Sequence, residues 1–218
     1  MALITMPGMV FEICIITTRT DNRPRLLMSF YAPPKSYDSY HGFTLIELLI
    51  TVAILAILAM LATPSLESFV LNNRIRVQSA ALTTSFALAR TEAIYRSAHV
   101  VTCPGNSIGC SGTDWESGWL VFVDTNNNAA FDVGEIQLEL RVPLDGNNTL
   151  RGTTNVRDYV SFHYDGRAQK VNGDPQSGTF VLCDKRGFGS NARAIDVRAT
   201  GRTRVLAAAD SPESSCSP

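Results

Sequence analysis

Two arginines near the end of the chain have the spacing of a phosphate-binding element. Residues 199–204 read Ala-Thr-Gly-Arg-Thr-Arg, in which Gly201 suits a tight turn and Arg202 and Arg204 lie two residues apart. In an extended segment, side chains two residues apart project to the same side. Two guanidinium groups on one side can grip adjacent phosphates with forked hydrogen bonds. Such a grip on a nucleic-acid backbone would give affinity without sequence preference.

Other basic residues in this part of the chain extend the candidate DNA-binding patch. The net charge of −1 conceals an asymmetry, because residues 114–165 carry nine acids against three arginines, whereas residues 167–204 carry eight bases against three aspartates. A cationic region of this kind matters more for partners than the total charge does. The residues that we add to the patch are Arg198, Arg193, Lys185 and Arg186. Composition alone favours the alternatives, which are a solvated basic face and arginines paired with the acidic middle of the chain.

Catalysis has little support in the sequence. His41, His99 and His163 are isolated from one another, and no Gly-x-Ser-x-Gly, His-Glu-x-x-His or phosphate-loop pattern occurs. We therefore expect a protein that is not an enzyme, with no catalytic residues and no cofactor.

The loop 124–135 has oxygen-bearing side chains at the spacing of a calcium-binding loop. They occupy loop positions 1, 3, 5, 9 and 12, as Asp124, Asn126, Asn128, Asp132 and Glu135. Position 6 is Ala129, where calcium loops of this type have a glycine, and strands rather than helices are predicted on both sides. We therefore favour the polar tip of a hairpin over a calcium site and expect no metal.

Four cysteines follow residue 42, and an even number in an exported domain favours disulfide bonds. Of the three pairings that they allow, we favour Cys103 with Cys110 and Cys183 with Cys216. The alternative is a four-cysteine zinc site, which we disfavour because no Cys-x-x-Cys pair occurs.

A long apolar segment precedes all of these residues. The 20 residues 43–62 contain one charged side chain, Glu47. As a helix they would be about 30 Å long, enough to cross the hydrocarbon core of a bilayer. A carboxylate in such a segment is costly in lipid, so we interpret Glu47 as functional.

The helical pattern continues beyond Pro64 to about Ser97, with two apolar faces. The first face consists of Leu66, Phe69, Val70, Val77, Ala80, Ala81, Leu88 and Tyr95. The second consists of Leu71, Ile75, Leu82, Phe86, Ala89 and Ala93. One face should pack on the chain's own sheet, and the other could join the same core or contact neighbouring subunits.

From Ala98 onward the pattern changes to short β-like runs between turn residues, which predicts an α+β fold. No crossover helices intervene, so the sheets should be antiparallel. The predicted strands are His99–Cys103, Trp119–Asp124, Ile136–Val142, Tyr159–Tyr164, Gln169–Val171, Thr179–Cys183, Ala194–Val197 and Arg204–Ala207.

The order Gly-Phe-Thr-Leu-Ile-Glu at residues 42–47 resembles the processing site of type IV pilins and pseudopilins. The resemblance implies that a prepilin peptidase cleaves between Gly42 and Phe43 and that the new N-terminal residue is methylated. Cleavage would leave a cationic amine on Phe43, which Glu47 of a neighbouring subunit would pair with during assembly. Pro64 falls where many members of this family kink the helix. The implied domains are a leader at 1–42, a transmembrane helix at 43–63, its amphipathic continuation at 64–97 and a β-rich head at 98–218.

Three further stretches resemble the GspH/FimT family of minor pilins. They are the Trp119–Asp124 strand with its Asn-rich loop, the turn at Phe162–Arg167 and the ending Gly201–Arg204. The resemblance implies a pilin-like fold, in which a long N-terminal helix, transmembrane in its first half, packs on antiparallel sheets. It also implies a FimT-like minor pilin of a type IV pilus that binds extracellular double-stranded DNA through Arg202 and Arg204 in natural transformation.

The alternative within that family is a GspH-like pseudopilin with a structural role in a type II secretion system. In both cases the expected partners are other pilin subunits and the prepilin peptidase. The expected location is the bacterial inner membrane, crossed once with the head in the periplasm, and later a surface pilus or a periplasmic pseudopilus.

Overall fold

The computed structural model describes residues 5–6, 9–10 and 42–217. The chain divides into two compact units between Ala53 and Ile54. In the first unit, the two-residue strands β1 (Thr5–Met6) and β2 (Met9–Val10) pair antiparallel. The rest of the predicted leader up to His41 lies outside the described residues.

The helix α1 runs from Leu45 to Arg96. At its start, the Glu47 amide donates to the Thr44 hydroxyl at 3.2 Å, which satisfies one of the free N–H groups of the first turn. At its end, Ser97 adopts a left-handed conformation (φ 53°) and the Ala98 amide donates back to the Ala93 carbonyl at 3.2 Å. A left-handed residue followed by such a bond is a common way to end a helix.

The apolar start of α1 does not form a straight membrane-length helix. Within the described residues, no single straight helix combines the length and apolarity of a membrane span. The two parts Leu45–Met60 and Ser65–Arg96 meet that standard only as a bent pair, by length and composition. The bend lies in the interval that contains Pro64, where the resemblance places a kink.

Within residues 97–217, which the structure describes, nine strands follow the helix and form two antiparallel sheets. The five-stranded sheet has the order β4-β3-β5-β6 with β8 paired to β3, and the four-stranded sheet has the order β11-β10-β9-β7. The strands are β3 (His99–Asn106), β4 (Gly109–Cys110), β5 (Trp119–Asp124), β6 (Ile136–Arg141), β7 (Thr149–Gly152), β8 (Val160–Phe162), β9 (Gly178–Cys183), β10 (Arg193–Val197) and β11 (Thr203–Ala207). Single 3-10 turns occur at Trp115–Ser117 and Ala208–Asp210. The predicted fold class, a long N-terminal helix packed on antiparallel sheets, is confirmed.

The strand prediction was wrong in three places. Strands β4 and β7 were not predicted, and the predicted strand Gln169–Val171 is only an isolated bridge from Gln169 to Pro175 followed by a turn. In that turn the Lys170 amide donates to the Asp174 carbonyl at 2.8 Å and the Gly173 amide donates to the Lys170 carbonyl at 2.9 Å. The Asn-Gly-Asp-Pro sequence that follows closes the chain on itself too early for a strand.

The second apolar face of α1 forms the centre of the core. Its residues are at most 9% exposed, and Phe86 is completely buried. The Phe86 ring lies 6.3 Å from Phe162 of β8 and 5.5 Å from Phe180 of β9, measured between ring centroids. Because β8 and β9 belong to different sheets, this one side chain on α1 packs against both of them.

We expect Phe86→Ala to lower the free energy of unfolding of the chain by about 3–5 kcal/mol, because it removes a fully buried ring between rigid sheets. Phe69→Ala is the matched control, since Phe69 lies on the other face and is 68% exposed. It should change the free energy by no more than about 0.5 kcal/mol. Chemical denaturation of the chain in detergent measures both. Equal losses in the two variants would contradict this description of the core.

Most of the first apolar face of α1 does not join this core, although Ala81 packs against it and Leu88 is half-buried. The side chains of Leu66 (63%), Phe69 (68%), Val77 (60%) and Tyr95 (81%) are exposed. The interpretation in which both faces lie inside one domain is therefore wrong for these residues. The interpretation in which this face contacts neighbouring subunits stays a prediction.

Two disulfide bonds close loops of the head. They join Cys103 to Cys110 and Cys183 to Cys216, the pairing that we favoured among the three alternatives. The second bond spans 33 residues and attaches the C-terminal tail to β9. A cross-link of that span stabilises a fold by roughly 3–4 kcal/mol, mainly by restricting the unfolded chain.

Candidate nucleic-acid interface

The Gly-Arg-Thr-Arg stretch lies at a tight hairpin between β10 and β11. The Gly201 amide donates to the Arg198 carbonyl at 2.8 Å, and the Arg198 amide donates to the Arg202 carbonyl at 2.9 Å. The loop therefore has three residues and ends in Gly201, whose φ of +77° suits the left-handed position of such a loop. A side chain at Gly201 would also overlap the carbonyl oxygen of Gly166. This position requires glycine for both reasons.

One carboxylate organises two of the hairpin arginines. Asp196 and Arg204 are direct cross-strand partners, and Arg198 lies two residues after Asp196. The Nε atoms of Arg198 and Arg204 donate to the same oxygen, Asp196 Oδ2, at 2.7 and 3.0 Å. The two arginine side chains remain 55% and 52% exposed, whereas that of Asp196 is 16% exposed. Since each guanidinium uses only its Nε for this contact, the outer Nη groups stay available to a ligand.

Arg202 completes this group. Its side chain is exposed, and it has no ion pair or side-chain hydrogen bond with any part of the chain that the structure describes. It follows the turn glycine directly and lies two residues before Arg204. We call Arg198, Arg202 and Arg204 the hairpin arginines. With Asp196 they carry a net charge of +2, and their only carboxylate partner among the described residues is Asp196 rather than the acidic middle of the chain.

The other three basic residues of the predicted patch lie elsewhere. Arg193 is paired with Leu182 at the far end of β10, five residues from Arg198, which is roughly 16 Å along a strand. Lys185 and Arg186 follow β9 at that same end. The patch predicted from composition is thus wrong as a single surface, because the antiparallel register places its members at opposite ends of one sheet.

These distant basic residues also have partners of their own. Lys185 forms an ion pair with Glu67 of α1. Arg186 Nη2 donates to Asp184 Oδ2 at 2.6 Å and its Nη1 donates to Asn72 Oδ1 at 2.9 Å. The hydrogen bond from Arg186 lowers the pKa of Asp184 and raises that of Arg186. This end of the sheet is therefore largely neutralised.

The Asp124–Glu135 loop is a hydrogen-bonded hairpin tip. The Asp124 carboxylate accepts the amides of Asn128 at 3.2 Å and Ala129 at 2.8 Å, and Glu135 Oε1 accepts the Thr125 amide at 2.8 Å. The side-chain amides of Asn126 and Asn128 both donate to Asp132, which lowers the pKa of its carboxyl group. The carboxylates of this loop are therefore occupied by the loop's own N–H groups.

We expect EDTA to leave the melting temperature of the chain unchanged, because the loop's own N–H groups bind the carboxylate oxygens that calcium would need. Differential scanning calorimetry with EDTA and with added Ca²⁺ measures this. A fall in melting temperature with EDTA that added Ca²⁺ reverses would show that the loop binds the ion.

Two of the histidines, which the sequence predicted to be isolated, are neighbours in space. His99 and His163 lie with ring centroids 4.9 Å apart, although 64 positions separate them in sequence, while His41 lies outside the described residues. Burial, and then the charge of His163, lower the pKa of His99. In the described part of the chain, no three His, Cys, Asp or Glu side chains are grouped to hold a metal. The pairing of β3 with β8 brings the two rings together, and no local sequence signal marks it.

The predicted processing residues lie at the start of α1. Gly42 and Phe43 precede the helix and are exposed, and Glu47 is exposed in its first turn. Within residues 42–217, the Glu47 carboxylate has no ion-pair partner. The side chain is therefore free of the cations of that segment.

Comparisons with known proteins agree with this architecture. The family model described as type II transport protein GspH matches residues 78–201, more than half of the chain. The model of the prokaryotic N-terminal methylation motif matches residues 38–63, which include Gly42, Phe43 and Glu47.

Three individual proteins are similar to this chain, one in sequence and two in structure. The pilin-like protein PilA1 of Thermus thermophilus is 41% identical over 96 residues, which are 43% of this chain and 54% of that protein. The chain thus matches about half the length of this relative. The crystal structure of the type IV minor pilin FimU of Pseudomonas aeruginosa PAO1 has a TM-score of 0.52 at 19% identity, covering 66% of this chain and 96% of that one. The minor pseudopilin EpsH of Vibrio cholerae has a TM-score of 0.46 at 10% identity, covering 63% of this chain and 99% of that one.

Three observations indicate the same family. They are the fold of a long helix packed on antiparallel sheets, the methylation motif, and the GspH match over most of the head. The chain belongs to the GspH/FimT family of minor pilins and pseudopilins.

Proposed function

We propose that this chain is a FimT-like minor pilin that binds extracellular double-stranded DNA non-specifically for natural transformation. The observation that carries the proposal is the group of three exposed hairpin arginines around one carboxylate. Their outer nitrogens offer forked donors to phosphate oxygens. Base edges play no part in such a contact, so DNA of any sequence should bind.

The charge of the site sets the strength of binding. A net charge of +2 on one hairpin gives a single head only weak affinity at physiological salt, because surface charges are screened within about 8 Å. A filament that presents many copies raises the effective affinity by multivalency without any new contact. The proposal therefore places this chain in a type IV pilus, where several heads hold one DNA molecule.

The start of the chain supplies the route to that filament. We infer that the prepilin peptidase cleaves between Gly42 and Phe43 and that Phe43 is then methylated. Before assembly, the apolar part of α1 would anchor the subunit in the inner membrane with its head in the periplasm. In the filament, Glu47 would pair with the cationic amine of a neighbouring subunit. The role is structural and needs no catalytic residue or cofactor.

A second candidate function is a structural role in a type II secretion pseudopilus. The description of the matching family model, type II transport protein GspH, favours it. The two candidates share the fold and the role of Glu47, and they differ in whether the hairpin arginines bind a ligand.

Deletion of the gene separates the two functions. Loss of DNA uptake with normal secretion of exported enzymes, restored by the wild-type gene, is the expected result. Loss of secretion with normal uptake would reject the proposal in favour of the pseudopilus. Complementation with an Arg202→Ala, Arg204→Ala gene should restore filaments but not uptake.

A further inference from the structure

A second turn repeats the geometry of the arginine hairpin. In residues 163–167, the Gly166 amide donates to the His163 carbonyl at 2.8 Å and the His163 amide donates to the Arg167 carbonyl at 2.9 Å. The φ of Gly166 is +78°, against +77° for Gly201. Each glycine is followed directly by an exposed arginine, Arg167 or Arg202. The two turns therefore present an arginine from the same backbone position.

The two turns are in direct contact. The Ala168 amide, next to Arg167, donates to the Ala199 carbonyl of the hairpin loop at 3.1 Å. Arg90 of α1 also stabilises the contact, because its Nε donates to the Gly166 carbonyl at 2.9 Å. The missing side chain at Gly201 leaves room for that carbonyl, since an added Cβ would overlap it. One backbone hydrogen bond and the Arg90 side chain therefore hold the two turns together.

A cleft of about 480 Å³ lies where the turns meet. Its wall includes His163, Asp165, Arg167, Gln169, Pro175 and Thr200. A volume of this size is within the range of sites that take small ligands. It is large enough for one sugar-phosphate unit of a DNA strand.

The chemistry of the cleft suits a phosphate at its Arg167 side. The Arg167 side chain is 76% exposed, and its Nε is 3.5 Å from Asp165 Oδ2, so its outer nitrogens face solvent. Asp165 accepts the Arg167 amide at 3.0 Å, a bond that holds the turn closed, and its Oδ1 lies 3.2 Å from His163 Nδ1. The amide of Arg167 is the main reason that the pKa of Asp165 lies below its usual value.

We propose that the cleft between the two turns is a second phosphate-binding subsite for the same DNA backbone, in which Arg167 contacts a phosphate beyond those held by the hairpin arginines. This inference rests on the proposed function. It extends the site from the C-terminal hairpin to a turn that is 35 residues earlier in sequence.

The test is the salt dependence of duplex binding by the full mature chain in non-ionic detergent, with a short blunt DNA duplex of arbitrary sequence as the probe. Arg167→Gln should weaken binding about fivefold at low salt and make the slope of log K against log salt shallower by about 0.9, the value for one phosphate contact. Asp165→Asn keeps the acceptor for the Arg167 amide but removes the opposing charge, so it should tighten binding about twofold.

Lys185→Gln is the control for bulk charge, since Lys185 lies at the other end of the sheet and pairs with Glu67. It should leave the slope unchanged. The second subsite is wrong if Arg167→Gln keeps the wild-type affinity and slope. It is also wrong if Lys185→Gln lowers the affinity and flattens the slope as much as Arg167→Gln does. In both cases, binding by the wild-type chain would still support the proposed function. If the wild-type chain itself binds no duplex, the proposed function fails and this subsite with it.

Discussion

Replacing Arg202 and Arg204 together by alanine is expected to lower the affinity of the chain for duplex DNA about 100-fold at low salt. Each arginine offers a charge-assisted hydrogen bond to phosphate, and such bonds contribute roughly 1.5 kcal/mol apiece. The change removes two cations, one of which (Arg204) pairs with Asp196, so the net charge of the hairpin falls from +2 to zero. Fluorescence anisotropy with a labelled duplex measures the affinity.

A matched control separates the site from total charge. The double variant Lys185→Ala, Arg193→Ala also removes two positive charges, but from the other end of the four-stranded sheet. At 0.1 M salt we expect this variant to bind within about threefold of wild type, because a distance of roughly 16 Å exceeds the screening length of about 10 Å at that ionic strength. Similar losses in the two double variants would mean that the chain has no localised DNA site.

Replacing Glu47 by leucine is expected to remove the subunit almost completely from sheared filaments, while the peptidase still processes it. Glu47 is exposed in the first turn of α1 and has no cationic partner among the described residues of its own chain. In an apolar filament core, an uncompensated carboxylate or amine costs several kcal/mol, so pairing between subunits should govern entry. Immunoblots of sheared filaments and of the cell-associated pool measure the distribution.

Glu67→Leu is the control for this experiment, since Glu67 is an exposed carboxylate farther along the same helix that pairs with Lys185. It should enter filaments normally. Wild-type amounts of Glu47→Leu in the filaments would contradict the role of Glu47, and loss of both variants would point to a general effect of charge on the helix.

The sequence predicted the fold well where apolar periodicity is strong. The buried face of α1 from Leu71 to Ala93 was predicted residue by residue, because a helix repeats its faces every 3.6 residues. Strand β5 has the predicted bounds, since Trp119–Val123 is a continuous apolar run that ends at Asp124. Strand β4 has two residues and β7 ends in a glycine, so neither carries enough pattern to stand out.

The candidate site was predictable only in its local part. Gly201, Arg202 and Arg204 are neighbours in sequence, so the turn and the spacing of the arginines could be predicted. The separation of Lys185 and Arg186 from them depends on strand register and on partners in α1, Glu67 and Asn72, that are more than 100 residues earlier. The contact between the Gly166 and Gly201 turns likewise joins distant parts of the chain. A linear sequence carries no direct signal of such contacts.

The most direct measurement is the affinity of the wild-type mature chain for an arbitrary DNA duplex, titrated from about 20 to about 200 mM salt. Over this range the affinity that comes from phosphate contacts falls steeply. Three or four arginine–phosphate contacts predict a slope of log K against log salt of about −3, with the same affinity for unrelated sequences. The absence of binding at the lowest salt, or binding that does not change with salt, would contradict DNA capture by the hairpin arginines.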